Sequence, residues 1–168
     1  MKKHLVLLTL FSFLGCQNNK IVSSHERINY TPTLYEPKRE VIGIDETTGK
    51  ERFTTRLVSY RQDVNHNKIA AIHIKENQLN YTVQGWYPSS GLSVSKMSLT
   101  KEKSIDNDTL ILTHQIHITK QAGKESAMVY GYNFRQANKA QIKSSYTAVI
   151  IRLKDTNGAL LDEQIIAL

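Results

Sequence analysis

Cysteine and tryptophan each occur once in 168 residues, proline occurs three times, and no apolar run is long enough to span a membrane. Each shortage excludes something. One cysteine cannot form an internal disulfide, so the folded part is held by its core alone. The longest apolar run, residues 5–14, has ten residues, whereas a spanning helix takes about 20. Lys and Arg are scattered, with no block dense enough to read as a nucleic-acid-binding arm. There is no Gly-x-Ser-x-Gly elbow, no His-Glu-x-x-His helix, no Gly-rich phosphate loop and no cysteine nucleophile free to act, so no motif specifies a reaction. Acids such as Asp63, Glu76 and Glu125 are single and scattered. A carboxylate pair brought together only by folding stays open, because its sequence spacing is unconstrained.

What is present starts at the N-terminus. Lys2 and Lys3 form a short basic start, residues 5–14 an apolar core, and Phe13-Leu14-Gly15-Cys16 closes it, followed at once by polar Gln17-Asn18-Asn19-Lys20. This is the layout of an export signal. It resembles the signal of a bacterial lipoprotein: Gly15 and Cys16 match that pattern and Leu14 fits it, while Phe13 stands where an aliphatic residue is commonest. The resemblance covers residues 1–16 only. It implies cleavage before Cys16, a diacylglyceryl thioether on its sulfur, and a further acyl chain such as palmitate on the new N-terminus. Two or more chains, at about 0.8 kcal/mol per buried methylene, hold a protein stably on a membrane. Gln17, rather than Asp, after the lipidated cysteine implies the outer membrane in the sorting pattern of enteric bacteria. The alternative is an ordinary secretory signal with Cys16 incidental, but an exported chain rarely carries one unpaired thiol without a use.

Removing residues 1–15 leaves 153, one ordinary domain plus a tether. Cleavage takes Lys2 and Lys3 from the 22 basic residues and none of the 15 acidic ones, leaving a net charge of +5. That excess favours anionic surfaces through its long-range field, or simply solubilises. Residues 16–40 are polar, carry Pro32 and Pro37 and show no sustained period, so they read as lipidated N-terminus and tether, with an extended stretch near Leu34 and Tyr35.

From residue 41 to 168 the pattern has period two. Residues 41–44 and 52–60 flank a polar turn with Gly49 and read as a hairpin. Further strands follow. Ile72 and Ile74 share a face, as do Leu79, Tyr81 and Val83. Leu92 and Val94 begin a strand that Met97 and Leu99 continue only if a bulge resets the face. Residues 110–119 alternate most clearly, with Leu110, Leu112, Ile116 and Ile118 on one side. Met128, Tyr130, Tyr132 and Phe134 share a side, as do Thr147, Val149, Ile151 and Leu153. Asn157-Gly158 between apolar runs signals a hairpin. Residues 135–143 read as a helical turn or a long polar loop. Eight or nine short strands predict an all-β fold, an antiparallel β-sandwich of Ig-like or jelly-roll type, with a closed barrel as the alternative.

Few residues point to a site. His114 and His117 are three apart, which on a strand places them on opposite faces and rules against a shared metal. His114 falls on the apolar face and reads as a hydrogen-bonded core or interface histidine. His73 and His117 both face the polar sides of their strands and could be cross-strand neighbours. Asp106-Asn107-Asp108 offers oxygens close together, but calcium needs six or more ligands; the segment reads as a tight turn. Asp108-Thr109-Leu110 also matches a three-residue O-glycosylation pattern. The most informative loop, residues 84–91, holds Trp86 beside Tyr87 and Pro88 at a strand end. Such aromatics stack on sugars or anchor protein contacts, and alternation puts Trp86 on the polar side of its strand. The other reading is that Trp86 plugs the end of the sandwich.

These features lead to one expectation: a lipid-anchored envelope protein, non-enzymatic, that binds another envelope protein or an anionic or glycan polymer through Trp86 and Tyr87. Neither metal nor cofactor nor nucleic acid is expected. A hydrolase of envelope glycans or lipids is one alternative, an immunity or inhibitor lipoprotein with one tight protein partner another.

Overall fold

The computed structural model describes residues 21–59, 67–88, 92–125 and 129–168. Cys16 and the whole signal segment, as well as Met128, lie outside the described residues. The described residues form ten strands: β1 (Val22–Arg27), β2 (Tyr30–Ile44), β3 (Glu51–Ser59), β4 (Lys68–Lys75), β5 (Gln78–Pro88), β6 (Leu92–Asp106), β7 (Thr109–Glu125), β8 (Val129–Gln141), β9 (Ala148–Lys154) and β10 (Leu160–Ala167). They form two five-stranded sheets, ordered β1-β6-β7-β9-β10 and β3-β2-β8-β5-β4. The two sheets pack face to face as a β-sandwich, so the all-β expectation holds and a closed barrel does not form. Every pairing is antiparallel except β7 with β9, which run parallel because the connecting β8 crosses to the other sheet.

The core lies between the sheets and comes from the period-two faces. Leu79, Val83, Met97, Leu99, Leu110, Val149, Ile151 and Leu153 are all fully buried. Two bulges keep apolar side chains pointing inward. One falls between Val94 and Lys96 and brings Val94 and Met97 into the core together. The backbone groups of Val94 find partners there: the Tyr30 hydroxyl donates to its carbonyl at 2.7 Å, and its N–H donates to the Tyr132 hydroxyl at 3.3 Å. The other bulge lies between Ala70 and His73, with Ala71 at φ 51°, and turns both Ile69 and Ile72 toward the core.

Two-residue turns close β4–β5 through Glu76 and Asn77 and β6–β7 through Asn107 and Asp108, all four at positive φ. That backbone matches the twist of a tight hairpin, so Asp106-Asn107-Asp108 is the polar turn expected. The β9–β10 hairpin forms where Asn157-Gly158 signalled it, with only Gly158 at positive φ. Asp155 Oδ1 accepts the N–H groups of Asn157 and Ala159, both at 2.8 Å.

Two sequence readings need correction. The segment read as tether is structured from Val22 onward: β1 pairs with β6, and the first part of β2 pairs with β8. Pairing overrides its polar composition, because edge strands need few buried side chains. Ile28, at the crossover between β1 and β2, is fully buried and ties in through its N–H to the Met97 carbonyl at 3.0 Å. Residues 135–141 are neither helix nor loop but the second half of β8, paired with β5 along its whole length. Gln136 and Asn138 occupy inward positions there, which hid the alternation.

Candidate functional site: an aromatic row and its cleft

Both aromatics singled out in the sequence sit at the C-terminal end of β5, each half-buried. Successive strand residues face opposite ways, so they do not form one flat platform. Tyr87 turns toward the other sheet, where the Lys120 ammonium of β7 lies 5.6 Å from its ring centroid. Trp86 turns the other way, its indole lying over Gly131 of β8. A Cβ at Gly131 would stand 2.2 Å from the indole nitrogen, so glycine is what lets the ring lie flat against the sheet.

Trp86 does not plug the sandwich. It ends a row of half-buried rings: Tyr35 and Tyr130 have centroids 4.7 Å apart, and Tyr130 and Trp86 6.1 Å apart, with interplanar angles of 43° and 48°. Burial, aided by Tyr35, pushes the Tyr130 phenol up from its ordinary value. Tyr130 had read as one stripe with Tyr132 and Phe134. Tyr132 and Phe134 are core residues, while Tyr130, at the start of β8, emerges beside Tyr35. Tyr35 lies in the segment read as tether, and nothing in sequence spacing connects it with residues 86 and 130.

Trp86 and Tyr87 also border an open cleft of about 600 Å³ between the sheets. Ile116, Ile118 and Leu161 give it apolar walls; Asn67, Lys120 and Asp155 supply polar groups. Asn67 Oδ1 accepts the Trp86 N–H at 3.1 Å and fixes the end of β5. That approach is possible only because residue 85 is glycine: a Cβ there would lie 1.8 Å from the same oxygen. Lys120 has no carboxylate within ion-pair distance among the described residues. A concave, mostly apolar site with a few polar groups is the usual form of a ligand pocket.

The histidines are distributed differently from their sequence pairing. His114 is 2% exposed, its Nε2 2.6 Å from the Tyr81 hydroxyl, as a hydrogen-bonded core histidine should be. Burial, then the nearby Lys101 charge, pushes it down from 6.5 to about 4. His117 and His73 lie in different sheets and are not neighbours. The ring beside His117 belongs to His25 of β1, at 5.8 Å between centroids, and the Thr100 hydroxyl lies 2.7 Å from His117 Nε2. No group of three or more His, Cys, Asp or Glu side chains placed to hold a metal occurs among the described residues.

The chain matches no protein-family model, no curated protein and no solved structure. The sandwich and its aromatic row therefore have to be interpreted from their own geometry.

Proposed function

We propose that this protein is a lipid-anchored, non-enzymatic binding module of the bacterial envelope, and that it holds an anionic glycan polymer. The observation that carries the reading is the row Tyr35, Tyr130 and Trp86, three half-buried rings leading to the cleft where Tyr87 and Lys120 stand. Aromatic rings offer apolar faces to the apolar faces of sugars, and the polar edges of Tyr and Trp hydrogen-bond hydroxyls. The tilt between successive rings suits a twisted chain of sugars, each ring meeting a different unit. Lys120 supplies a cation to a carboxylate or phosphate on the polymer, and the net charge of +5 on the cleaved chain favours the encounter.

A binding role rather than a catalytic one is supported by the state of His114. It is the described histidine with the most perturbed ionisation, yet its ring is sealed in the core and offers no accessible base. The anchor is proposed at Cys16, from the resemblance of residues 1–16 to lipoprotein signals. It would place the module on the outer membrane, with the glycan as its partner.

Two measurements test this reading. Co-sedimentation with purified peptidoglycan sacculi, with insoluble neutral glucan as control, should show binding that weakens with Trp86→Ala, Tyr35→Ala and Lys120→Ala while the melting temperature holds. Metabolic labelling with palmitate should mark the wild-type protein and not Cys16→Ser. Equal binding by all the variants would overturn the assigned site. Absence of sacculus binding, together with one dominant protein captured by cross-linking in intact cells, would replace the glycan by a protein partner.

A further inference from the structure

The chain changes sheets between β1 and β2, and this leaves one strand edge unoccupied. β2 covers β8 from Phe134 back to Val129. Before Tyr30 the chain departs for the other sheet, where β1 pairs with β6. Residues 135–141 of β8 thus pair with β5 on one side and, among the described residues, with no strand on the other. Between this edge and β1 lies a groove of about 310 Å³. Asn138, Lys139 and Gln141 line one bank, Ser24 and Lys103 the other, and His114 lies at its base.

Two buried polar atoms in this groove's lining residues have no partner: His114 Nδ1 and Asn138 Oδ1. Asn138 is 5% exposed, and its amide nitrogen donates to the Gln136 carbonyl of the same strand, 2.9 Å away. The charges along the groove are mostly positive. Lys101, Lys103 and Lys139 line it and Arg135 begins the edge. Glu102 is the acid on its lining, and Glu26 nearby is already engaged by Lys101 and by Gln136.

We propose that this groove receives an extended acidic peptide segment of a partner protein, added as a strand to the open edge of β8. Main-chain hydrogen bonds supply affinity in this mode, and alternate side chains supply specificity. The carboxylates of the segment meet Lys103 and Lys139. Residues 136, 138 and 140 turn their main-chain groups to β5, in line with the Ile142 N–H bond to the Asn77 carbonyl, so those of Arg135, Ala137 and Lys139 are the ones the added strand meets. Arg135 and Lys139 repel a second copy of the same edge, which selects against self-pairing. The site is separate from the aromatic row, so it stands or falls independently of the glycan.

The probe is a fluorescent peptide of seven residues alternating glutamate with valine and blocked at both ends, titrated into the full-length protein. Binding should rise in anisotropy and slow amide hydrogen exchange in residues 135–141. Lys103→Glu with Lys139→Glu should weaken it at least about fivefold, with an unchanged melting temperature. Methylating alternate backbone nitrogens of the peptide should weaken it at least about tenfold. Several outcomes would overturn the proposal. These are no binding, equal binding of a lysine–valine peptide, equal binding of the methylated peptide, and competition by free glutarate at peptide-like concentration, which marks a small-anion site.

Discussion

Lowering the pH from 7 to 4 should destabilise this fold through one side chain, His114. Its imidazole is sealed between the sheets, against Tyr81 of β5, with Lys101 of β6 and Asn138 of β8 lining the same groove. Burial first and the Lys101 charge second push its pKa from 6.5 to about 4. A base depressed in the folded state binds its proton more readily when unfolded. Its contribution is therefore complete above pH 6.5 and is lost progressively as the pH falls to about 4, below which both states are protonated. The gap is about 2.5 units, at roughly 1.4 kcal/mol per unit, so about 3 kcal/mol is at stake. That is a large share of the 5–15 kcal/mol, roughly, that holds an ordinary domain together. Urea unfolding at a series of pH values, for wild type and His114→Gln, measures it. The wild type should lose about 3 kcal/mol more than the variant across this window, and the comparison cancels the groups both share. Equal slopes in the two proteins, or an NMR titration placing folded His114 near 6.5, would refute the reasoning.

Other substitutions probe the supports of the cleft. Gly85→Ala would place a Cβ 1.8 Å from Asn67 Oδ1 and 2.9 Å from Phe134 Cζ, and should lower stability by about 1–3 kcal/mol in urea unfolding. Gly131→Ala should lift the indole of Trp86 from the sheet. The shift should be visible in the emission of this sole tryptophan, and sacculus binding should weaken with it. Asp162→Ala removes the acceptor of the Ile69 N–H, a 2.7 Å bond between β10 and β4 across the two sheets. It should cost about 1–3 kcal/mol and speed hydrogen exchange at Ile69. No change in exchange there would mean that the sheets do not depend on this tie.

Much of the sandwich was legible before its structure. Period-two alternation marked the inward faces of β5, β7 and β9, because each buries one face against the other sheet. The spacing of Val94, Met97 and Leu99 demanded a bulge, and one is present beside Ser95. Of the N-terminal strands, the hairpin of late β2 and β3 was read from its turn around Gly49, whereas β1 and the start of β2 were not legible. β1 is mostly exposed, and much of β2 forms a two-stranded extension with β3, leaving Val41, Ile42 and Ile44 exposed. Without a buried face, such strands carry no periodic signal. The second half of β8 was lost for a related reason, since its inward positions include Gln136 and Asn138, which bond to Glu26 and to the strand's own backbone.

The candidate site divides the same way. Trp86 and Tyr87 stood out by residue type and by their place at a strand end, and both border the cleft. Their companions depend on long-range pairing. Tyr35 meets Tyr130 because β2 lies against β8, and Lys120 meets Tyr87 because β7 packs over β5. The sequence by itself determined the strands that bury one face, the tight turns and the burial of His114, since all of these follow from local alternation and backbone preference. Only the tertiary structure decided which aromatics form a row, which lysines line a groove and which strand edge stays open. Those follow from where the chain changes sheets, and contact between residues as far apart in sequence as Tyr35 and Tyr130, or Tyr87 and Lys120, leaves no trace in the spacing of either partner.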